Sequence, residues 1–247
     1  MSTLTQAQIE QYHDQGYVIP DFRLPGDLLD EVKARHADLL AKHPEFNDYC
    51  GALLIADLGF LNYARLDPIL DMVEQLIGPD LAIWNSSLFA KPARVGTRTP
   101  WHQDGEYWPI DPLATCSVWI ALDDANRENG CLRFLPGSHR TKKISPHHFN
   151  DAHDIALPME LDVEYYDEDQ AIYIELAAGQ MSLHDVFLMH GSEANHTDTP
   201  RRGMTLRYMP TTSVYRRDMN KSPADEKRPV FLMRGKDISG QNDFRVR

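Results

Sequence analysis

The segment Trp101-His102-Gln103-Asp104 places an imidazole and a carboxylate two residues apart. On an extended strand these two side chains point to the same side, because side chains alternate with a period of two. A second imidazole from elsewhere in the fold would complete two histidines and one carboxylate on one face of a metal ion. That donor set leaves coordination positions open and is typical of non-haem Fe(II) oxygenases. We expect His190 to supply the second imidazole.

Residues downstream of this segment strengthen the interpretation, since an H-x-D triplet alone is weakly specific. His190 lies far enough beyond Asp104 to return on another strand of the same barrel. Ser192 follows it by two residues and therefore faces the same way. Arg201 comes after the next turn, where its guanidinium could form a bidentate pair with a carboxylate.

Composition restricts the class of protein. A chain of 247 residues suits one domain, and its net charge of −12 argues against nucleic acid or an anionic membrane as the main partner. A small-molecule substrate is the expectation. The cysteines are three in number and lack metal-type spacing, which favours a reduced, cytoplasmic protein. Residues 1–16 show no basic start followed by an apolar run, so we expect no secretory signal, and no segment approaches the roughly 20 apolar residues of a membrane span. No pattern indicates the oligomeric state.

The first 80 residues predict a helical layer. Thr5 with Gln8 predicts a capped helix that ends at Gly16. A second helix is predicted from residue 25, and it includes His36 and His43. A third is predicted over residues 68–77 from its apolar periodicity.

From residue 81 the pattern changes to short strands and turns. We predict one strand that holds both His102 and Asp104, another over 114–122, and a strand within 181–192 that ends in His190-Gly191-Ser192. The pair His184-Asp185 resembles a turn, and residues 139–169 predict a long loop over the site. The expected fold is mainly β, a double-stranded β-helix (jelly roll, cupin-like) with a helical N-terminal layer. It forms a single domain, with the layer over 1–80, the catalytic core over 81–215 and a docking tail over 216–247.

Three segments together carry a resemblance to a known family. They are WHQD (101–104), ENGCLRFLPGSH (128–139) and HGSEANHTDTPR (190–201). In this order they resemble the phytanoyl-CoA dioxygenase family of Fe(II)- and 2-oxoglutarate-dependent oxygenases. The resemblance implies Fe(II), 2-oxoglutarate and O2 on a jelly-roll core, with His102, Asp104 and His190 as metal ligands. It also implies that Arg201 binds the far carboxylate of 2-oxoglutarate, assisted by Ser192.

The same resemblance extends to further residues of the co-substrate pocket. Positions matching Lys91, Ser117 and Trp119 line that pocket in relatives, and the last two share one strand face here. Related halogenases replace the ligand carboxylate with a small residue. Because Asp104 is present, oxygenation is favoured over halogenation.

Substrate contacts are predicted for residues near the metal strand and on facing strands. Positive side chains at Lys91, Arg98 and Arg207 favour an anionic or zwitterionic metabolite. A structural ion pair is an equally good explanation for Arg207. Simple aromatic packing is an equally good explanation for Tyr107 and Trp108. The candidate substrate residues are Tyr107, Trp108, Arg98, Asn85 and Arg207.

Other readings of the sequence remain open. The expected reaction is hydroxylation of a C–H bond with release of succinate and CO2. The same iron site could instead give desaturation, cyclisation or epimerisation, or the chain could be a non-catalytic jelly-roll protein that binds metal and 2-oxoglutarate. A hydrolytic Zn(II) enzyme is a weaker possibility. Arg202 should face away from Arg201 toward solvent. The remaining histidines form a rival metal site on composition alone, but their loop setting and irregular spacing favour a solvated lid; they are His139, His147, His148 and His153.

Overall fold

The computed structural model describes residues 3–219 and 221–245. Its α-helices lie in the first third of the chain. They are α1 (Gln6–Gln15), α2 (Gly26–Lys42), α3 (Leu53–Ala56), α4 (Leu61–Ala64) and α5 (Asp67–Ile77). The early strands are β1 (Tyr17–Val18), β2 (Tyr49–Cys50), β3 (Leu81–Lys91), β4 (Thr99–His102), β5 (Ile110–Asp111), β6 (Cys116–Ala121) and β7 (Leu132–Phe134). The later strands are β8 (His147–Phe149), β9 (Met159–Leu161), β10 (Ile172–Ile174), β11 (Met181–Asp185), β12 (His190–Ser192), β13 (Arg201–Pro210), β14 (Val214–Tyr215) and β15 (Phe231–Arg234).

The predicted ends of the helices are confirmed with one correction. Thr5 and Gln8 form the capping box that starts α1, and Gly16 ends the helix with a left-handed φ of 86°. The helix α2 ends at Lys42, so His43 lies just outside it instead of inside. In α5 the apolar residues Ile69 and Val73 are buried as their helical spacing predicts.

Two antiparallel sheets form the core, and the predicted jelly-roll fold is confirmed. The larger sheet has the order β1-β11-β6-β13-β3-β15, and β2 also pairs with β3. The smaller sheet has the order β10-β7-β12-β4. Neighbours in space are mostly distant in sequence, as expected of this topology.

Each face of the larger sheet packs on a different layer. Val118 and Ile120 of β6 belong to the apolar cluster shared with the helices. Trp119, between them, belongs to the cluster shared with Leu132 and Phe134 of the smaller sheet. Side chains that point between the sheets therefore come from alternate residues of each strand. The site lies in this interlayer space.

Several strand predictions needed correction. Strand β4 ends at His102, and Asp104 begins a single 3-10 turn. Residues 181–192 form two strands in different sheets, because the chain turns after Asp185. The predicted loop 139–169 contains the hairpin β8–β9. The C-terminal segment adds strand β15 to the edge of β3 instead of only docking on the body.

Within the described residues, none of the helices has both the length and the apolar character that crossing a bilayer requires.

Candidate metal centre and adjoining cavities

His102, Asp104 and His190 converge on one buried point between the sheets. Strands β4 and β12 are neighbours, and His102 stands directly opposite His190 in their register. One donor atom from each of the three residues lies within 4.8 Å of the others. The Nε2 atom of His102 is 3.7 Å from Oδ1 of Asp104, and that of His190 is 4.0 Å from the same oxygen. Two donor atoms that share one ion at ordinary ligand distances of about 2.0–2.2 Å lie at most about 4.4 Å apart, and both of these separations are within that limit.

Backbone hydrogen bonds orient both imidazoles. Nδ1 of His102 lies 2.8 Å from the carbonyl oxygen of Pro100, and Nδ1 of His190 lies 2.9 Å from that of Leu188. Each Nδ1 therefore donates its proton to a carbonyl, which leaves a lone pair on each Nε2. The two lone pairs face the Asp104 carboxylate, as a metal site requires.

The charge state of the three residues suits a cation. Burial alone would raise the pKa of Asp104, but the surrounding imidazoles of His102, His184 and His190 and the charge of Arg207 outweigh burial and hold this pKa well below its usual range. Burial lowers the pKa of His190 well below its usual range, so this imidazole is neutral. The site thus presents one carboxylate anion and a neutral nitrogen donor.

Gln103 fixes the short connection between the two ligands of the first segment. Its side chain points away from the site and donates to the carbonyl oxygens of Phe187 and Lys143, at 2.8 and 3.0 Å. Its backbone N–H donates to Nε2 of His147 at 3.1 Å. The predicted alternation therefore persists through Gln103 although the strand itself has ended at His102.

His184 is a site residue that the sequence analysis missed. It lies on β11, not in a turn, and its Nε2 atom is 3.6 Å from Oδ2 of Asp104. Ser117 stands opposite it in the register and donates to the same oxygen at 3.3 Å. One carboxylate oxygen thus faces the two ligand imidazoles, while the other is held by these two side chains. The period-two pattern of Met181-Ser182-Leu183-His184 was the signal that would have placed His184 inside.

Arg201 is buried beside the metal site with neutral partners only. Its side chain donates to the carbonyl oxygen of Gly130 at 2.9 and 2.6 Å and to Oγ of Ser192 at 3.2 Å. Burial lowers the pKa of its guanidinium to about 10. Within residues 3–219 and 221–245, no carboxylate pairs with it. A buried cation without a counter-ion is costly, and an anionic ligand would remove that cost.

Trp119 and Gly203 shape the wall next to Arg201. The guanidinium carbon lies 5.4 Å from the centre of the Trp119 ring, within the range of cation–π attraction. A Cβ atom at position 203 would come within 2.1 Å of that ring, so only glycine allows the indole to lie there. Lys91 faces Arg201 across the strand pair, is buried, and donates to the carbonyl oxygen of Thr97. Burial, and then the charge of Arg201, lower the pKa of its amine well below the usual value.

Two cavities meet at the metal site. The inner cavity has a volume of about 30 Å³ and is lined by Phe89, Thr99, His102, Asp104, Trp119, Leu132, His184, His190, Gly191, Ser192, Arg201, Thr205 and Arg207. The outer cavity has a volume of about 630 Å³, and its walls come from segments 43–56, 84–89, 104–109, 156–158 and 221–228 together with Arg207. Phe89, Asp104 and Arg207 line both, so the outer cavity leads directly to the metal site. Thr205 was not predicted, although it shares the inward face of β13 with Arg201.

The candidate substrate residues divide between the cavity and the surface. Tyr107, Trp108, Asn85 and Arg207 line the outer cavity. Arg98 lies in neither wall, because both ends of its guanidinium pair with Glu160 at 3.0 and 3.3 Å.

Arg202, His139 and His148 lie away from the metal site. Arg202 faces outward as predicted, but it forms a two-point pair with Asp123 at 2.7 Å instead of being merely solvated. In the rival histidine cluster, His139 is buried against α1, where its Nε2 atom lies 3.0 Å from the carbonyl oxygen of His13, so this residue is not part of a solvated lid. His148 is exposed and pairs with Asp162 at 2.7 Å. Within residues 3–219 and 221–245, His102, Asp104 and His190 are the one group of three His, Cys, Asp or Glu donors close enough together to hold a metal ion.

The residues of this site fit Fe(II), but the inner cavity is too small for 2-oxoglutarate as it stands. The two imidazoles and the carboxylate are the donor types that ferrous iron accepts, and all three side chains line the inner cavity. A cavity of about 30 Å³ holds roughly two water molecules. A five-carbon dicarboxylate needs more room, so the wall must yield when it binds. Arg201 would then exchange the Gly130 carbonyl for a carboxylate.

Comparisons with known proteins agree with this geometry. The family model for phytanoyl-CoA dioxygenase (PhyH) matches residues 2–203. The peroxisomal phytanoyl-CoA dioxygenase of Homo sapiens is 30% identical over 158 residues, which cover 62% of this chain and 46% of the human protein. The chain thus spans about half the length of that relative.

Solved structures share the fold over most of the chain. The non-heme monooxygenase ThoJ, in its apo form, has a TM-score of 0.75 with 27% identity, and the match covers 96% of this chain and 88% of ThoJ. The epimerase SnoN, solved with Fe3+, alpha ketoglutarate and nogalamycin RO, has a TM-score of 0.71, with 85% of each chain covered. Its identity of 24% supports a common fold alone.

Proposed function

The chain belongs to the phytanoyl-CoA dioxygenase family, and on that premise we propose that it is an Fe(II)- and 2-oxoglutarate-dependent dioxygenase. It hydroxylates a C–H bond of a small, anionic or zwitterionic metabolite. One atom of O2 enters the substrate as a hydroxyl group. The other enters succinate as 2-oxoglutarate loses CO2. The observation that carries the proposal is the convergence of His102, Asp104 and His190 within 4.8 Å, beside Arg201, which pairs with no carboxylate of residues 3–219 and 221–245.

The protein's own residues have distinct tasks in this reaction. His102, Asp104 and His190 would hold Fe(II), which when bound supplies the activation of O2. Arg201 and Ser192 would hold the far carboxylate of 2-oxoglutarate, and Trp119 would support its chain. The buried walls of the inner cavity keep water away from the reacting atoms.

Consumption of 2-oxoglutarate tests the proposal most simply. Purified protein is loaded with Fe(II) without oxygen, and succinate is measured after O2 is admitted, with and without a panel of small organic acids. We expect O2-dependent succinate formation that His102→Ala reduces by at least about a thousandfold, because two ligands hold iron poorly. His148→Ala is the matched control, since this histidine is exposed and pairs with Asp162. Equal succinate formation by wild type and His102→Ala would end the proposal.

The oxidative outcome is decided by where the substrate lies, not by the ligands. Desaturation, cyclisation and epimerisation use the same donor set, and the neighbour SnoN is named an epimerase. The mass of the product separates these outcomes: one added oxygen for hydroxylation, two lost hydrogens for desaturation or cyclisation, and no change for epimerisation. Binding of iron and 2-oxoglutarate without O2 consumption across the panel would indicate a non-catalytic protein, and hydrolysis with Zn(II) would indicate a different enzyme class.

A further inference from the structure

The outer cavity combines aromatic walls with a buried arginine at its inner end. Among its walls, Trp84 and Trp108 pack edge to face with ring centres 4.8 Å apart, and the Tyr49 and Phe89 ring centres lie 4.6 Å apart with the planes tilted by 39°. Arg207 lies at the junction with the inner cavity and is 4% exposed. Aromatic surface favours a flat apolar ligand, and a guanidinium favours an anion.

The hydrogen-bonding capacity of Arg207 is largely unused. Its guanidinium donates to Oγ of Ser87, and its Nε atom is buried without a partner among the described residues. Asp104 is the carboxylate whose charge acts on Arg207, but its ion-pair contacts are with His102, His184 and His190. Because a guanidinium carries five N–H donors, most of the side chain remains available to a ligand.

A second buried arginine in the same wall shows the opposite arrangement. Arg228 donates to the Tyr215 hydroxyl, to the carbonyl oxygen of Gly51 and to Oδ1 of Asn85. It also lies 3.7 Å from the Asp225 carboxylate. These partners satisfy Arg228 within the protein, so it stabilises the wall. Arg207 lacks such a set.

Two aromatic rings lie close to the Arg207 guanidinium. Its central carbon lies 5.0 Å from the centre of the Trp108 ring and 5.9 Å from that of Phe89. Stacked guanidinium groups keep their edge free, and the edge is the part that binds a carboxylate through two parallel hydrogen bonds.

We infer that the substrate is an organic acid with a flat, apolar body, and that Arg207 binds its carboxylate while the aromatic walls of the outer cavity hold the body. This rests on the proposed function only where it calls the ligand a substrate. Arg207 and Asp104 line the same junction, so the acidic end of the molecule lies next to the metal site. Of the three cationic side chains expected to favour an anion, Arg98 pairs with Glu160 and Lys91 faces Arg201, which leaves Arg207.

The test compares a flat acid with a neutral molecule of the same shape. Binding of 2-naphthoate and of 2-naphthamide is measured by calorimetry under anaerobic conditions. Saturating Mn(II) and 2-oxoglutarate are present, so that Arg201 is occupied. We expect wild type to bind the acid at least about tenfold more tightly than the amide. In Arg207→Gln the acid-to-amide ratio should fall to near unity, while in Arg98→Gln, the matched arginine outside the cavity, it should match wild type.

The possible outcomes separate this inference from the proposed function. A wild-type ratio below about threefold, or a ratio in Arg207→Gln within threefold of wild type, overturns the inference. If Arg207→Gln does not fold, Arg207→Lys decides, because an amine cannot form two parallel hydrogen bonds. If Arg207→Lys binds 2-naphthoate more weakly than wild type but binds 2-naphthamide equally well, the inference is supported. If it binds 2-naphthoate as tightly as wild type, the inference is overturned. Binding of 2-oxoglutarate is measured in the same samples. Its absence counts against the proposed function, and the naphthoate comparison is then repeated without it.

Discussion

The inner and outer cavities share Asp104 and Arg207 but are built in different ways. The polar residues of the inner cavity come from strands β4, β11, β12 and β13 and from Asp104, and the paired strands β4 and β12 carry recognisable motifs. The outer cavity draws its walls from segments throughout the chain, including the tail beyond residue 220. Chemistry common to a family can therefore be encoded locally, while the shape that selects a substrate depends on many distant segments.

The largest effect that would sharpen this contrast is expected at Arg201. Replacing it by leucine removes the cation for the far carboxylate, so 2-oxoglutarate affinity should fall about a hundredfold, or about 3 kcal/mol. Calorimetry with Mn(II)-loaded protein measures this. Arg202→Leu is the control, since the Arg202 side chain is next in sequence but faces outward and pairs with Asp123. Comparable losses in the two variants would mean that the co-substrate lies elsewhere.

His184 tests whether the inner cavity extends beyond its motifs. Removing its imidazole in His184→Ala frees Oδ2 of Asp104 on one side, and metal affinity should fall about tenfold, as for other residues that orient metal ligands. Mn(II) titration measures the change. Ser182→Ala on the same face of β11 should bind metal like wild type. An unchanged metal affinity in His184→Ala would mean that His184 does not support the metal site formed by His102, Asp104 and His190.

Gly203 of β13 tests the wall that Trp119 of β6 forms next to Arg201. In Gly203→Ala the added methyl group meets Trp119, so the free energy of unfolding should fall by about 1–3 kcal/mol and 2-oxoglutarate should bind several-fold more weakly. Gly26→Ala is the matched control, because open space surrounds that position and the change should be below about 1 kcal/mol. Denaturant unfolding and calorimetry report the two quantities. Equal stability of both variants would contradict the packing described for Trp119.

The smallest effect is expected in the outer cavity. The Tyr107 hydroxyl donates to the carbonyl oxygen of Met159 and accepts from its N–H, at 2.8 and 2.9 Å, which ties strand β9 to the cavity wall. In Tyr107→Phe we expect a loss of about 1–2 kcal/mol in stability and a several-fold change in KM for the substrate. Binding of 2-oxoglutarate should not change. Tyr173→Phe, on the surface of β10, is the control, and a loss of 2-oxoglutarate affinity in Tyr107→Phe would break the separation of the two cavities.

The sequence predicted what short-range rules determine. Capping by Thr5 and the alternation through Gln103 follow from neighbouring residues, and the placing of His190 followed from a family pattern. His184 was misassigned because His-Asp was taken as a turn, although the alternation of β11 is visible in the sequence. The hairpin β8–β9 was missed because its polar residues lack strand patterning. The contrast between Arg207 and Arg228 depends on partners far apart in the chain, and no local pattern encodes it.

The central claim is that His102, Asp104 and His190 together bind one ferrous ion. Equilibrium binding of Fe(II) without oxygen, in the presence of 2-oxoglutarate, tests it most directly. We predict that wild type and His148→Ala each bind one equivalent of Fe(II) per chain. In His190→Ala the affinity for Fe(II) should be at least about a hundredfold lower. Binding of a full equivalent by His190→Ala with the affinity of wild type would contradict the account.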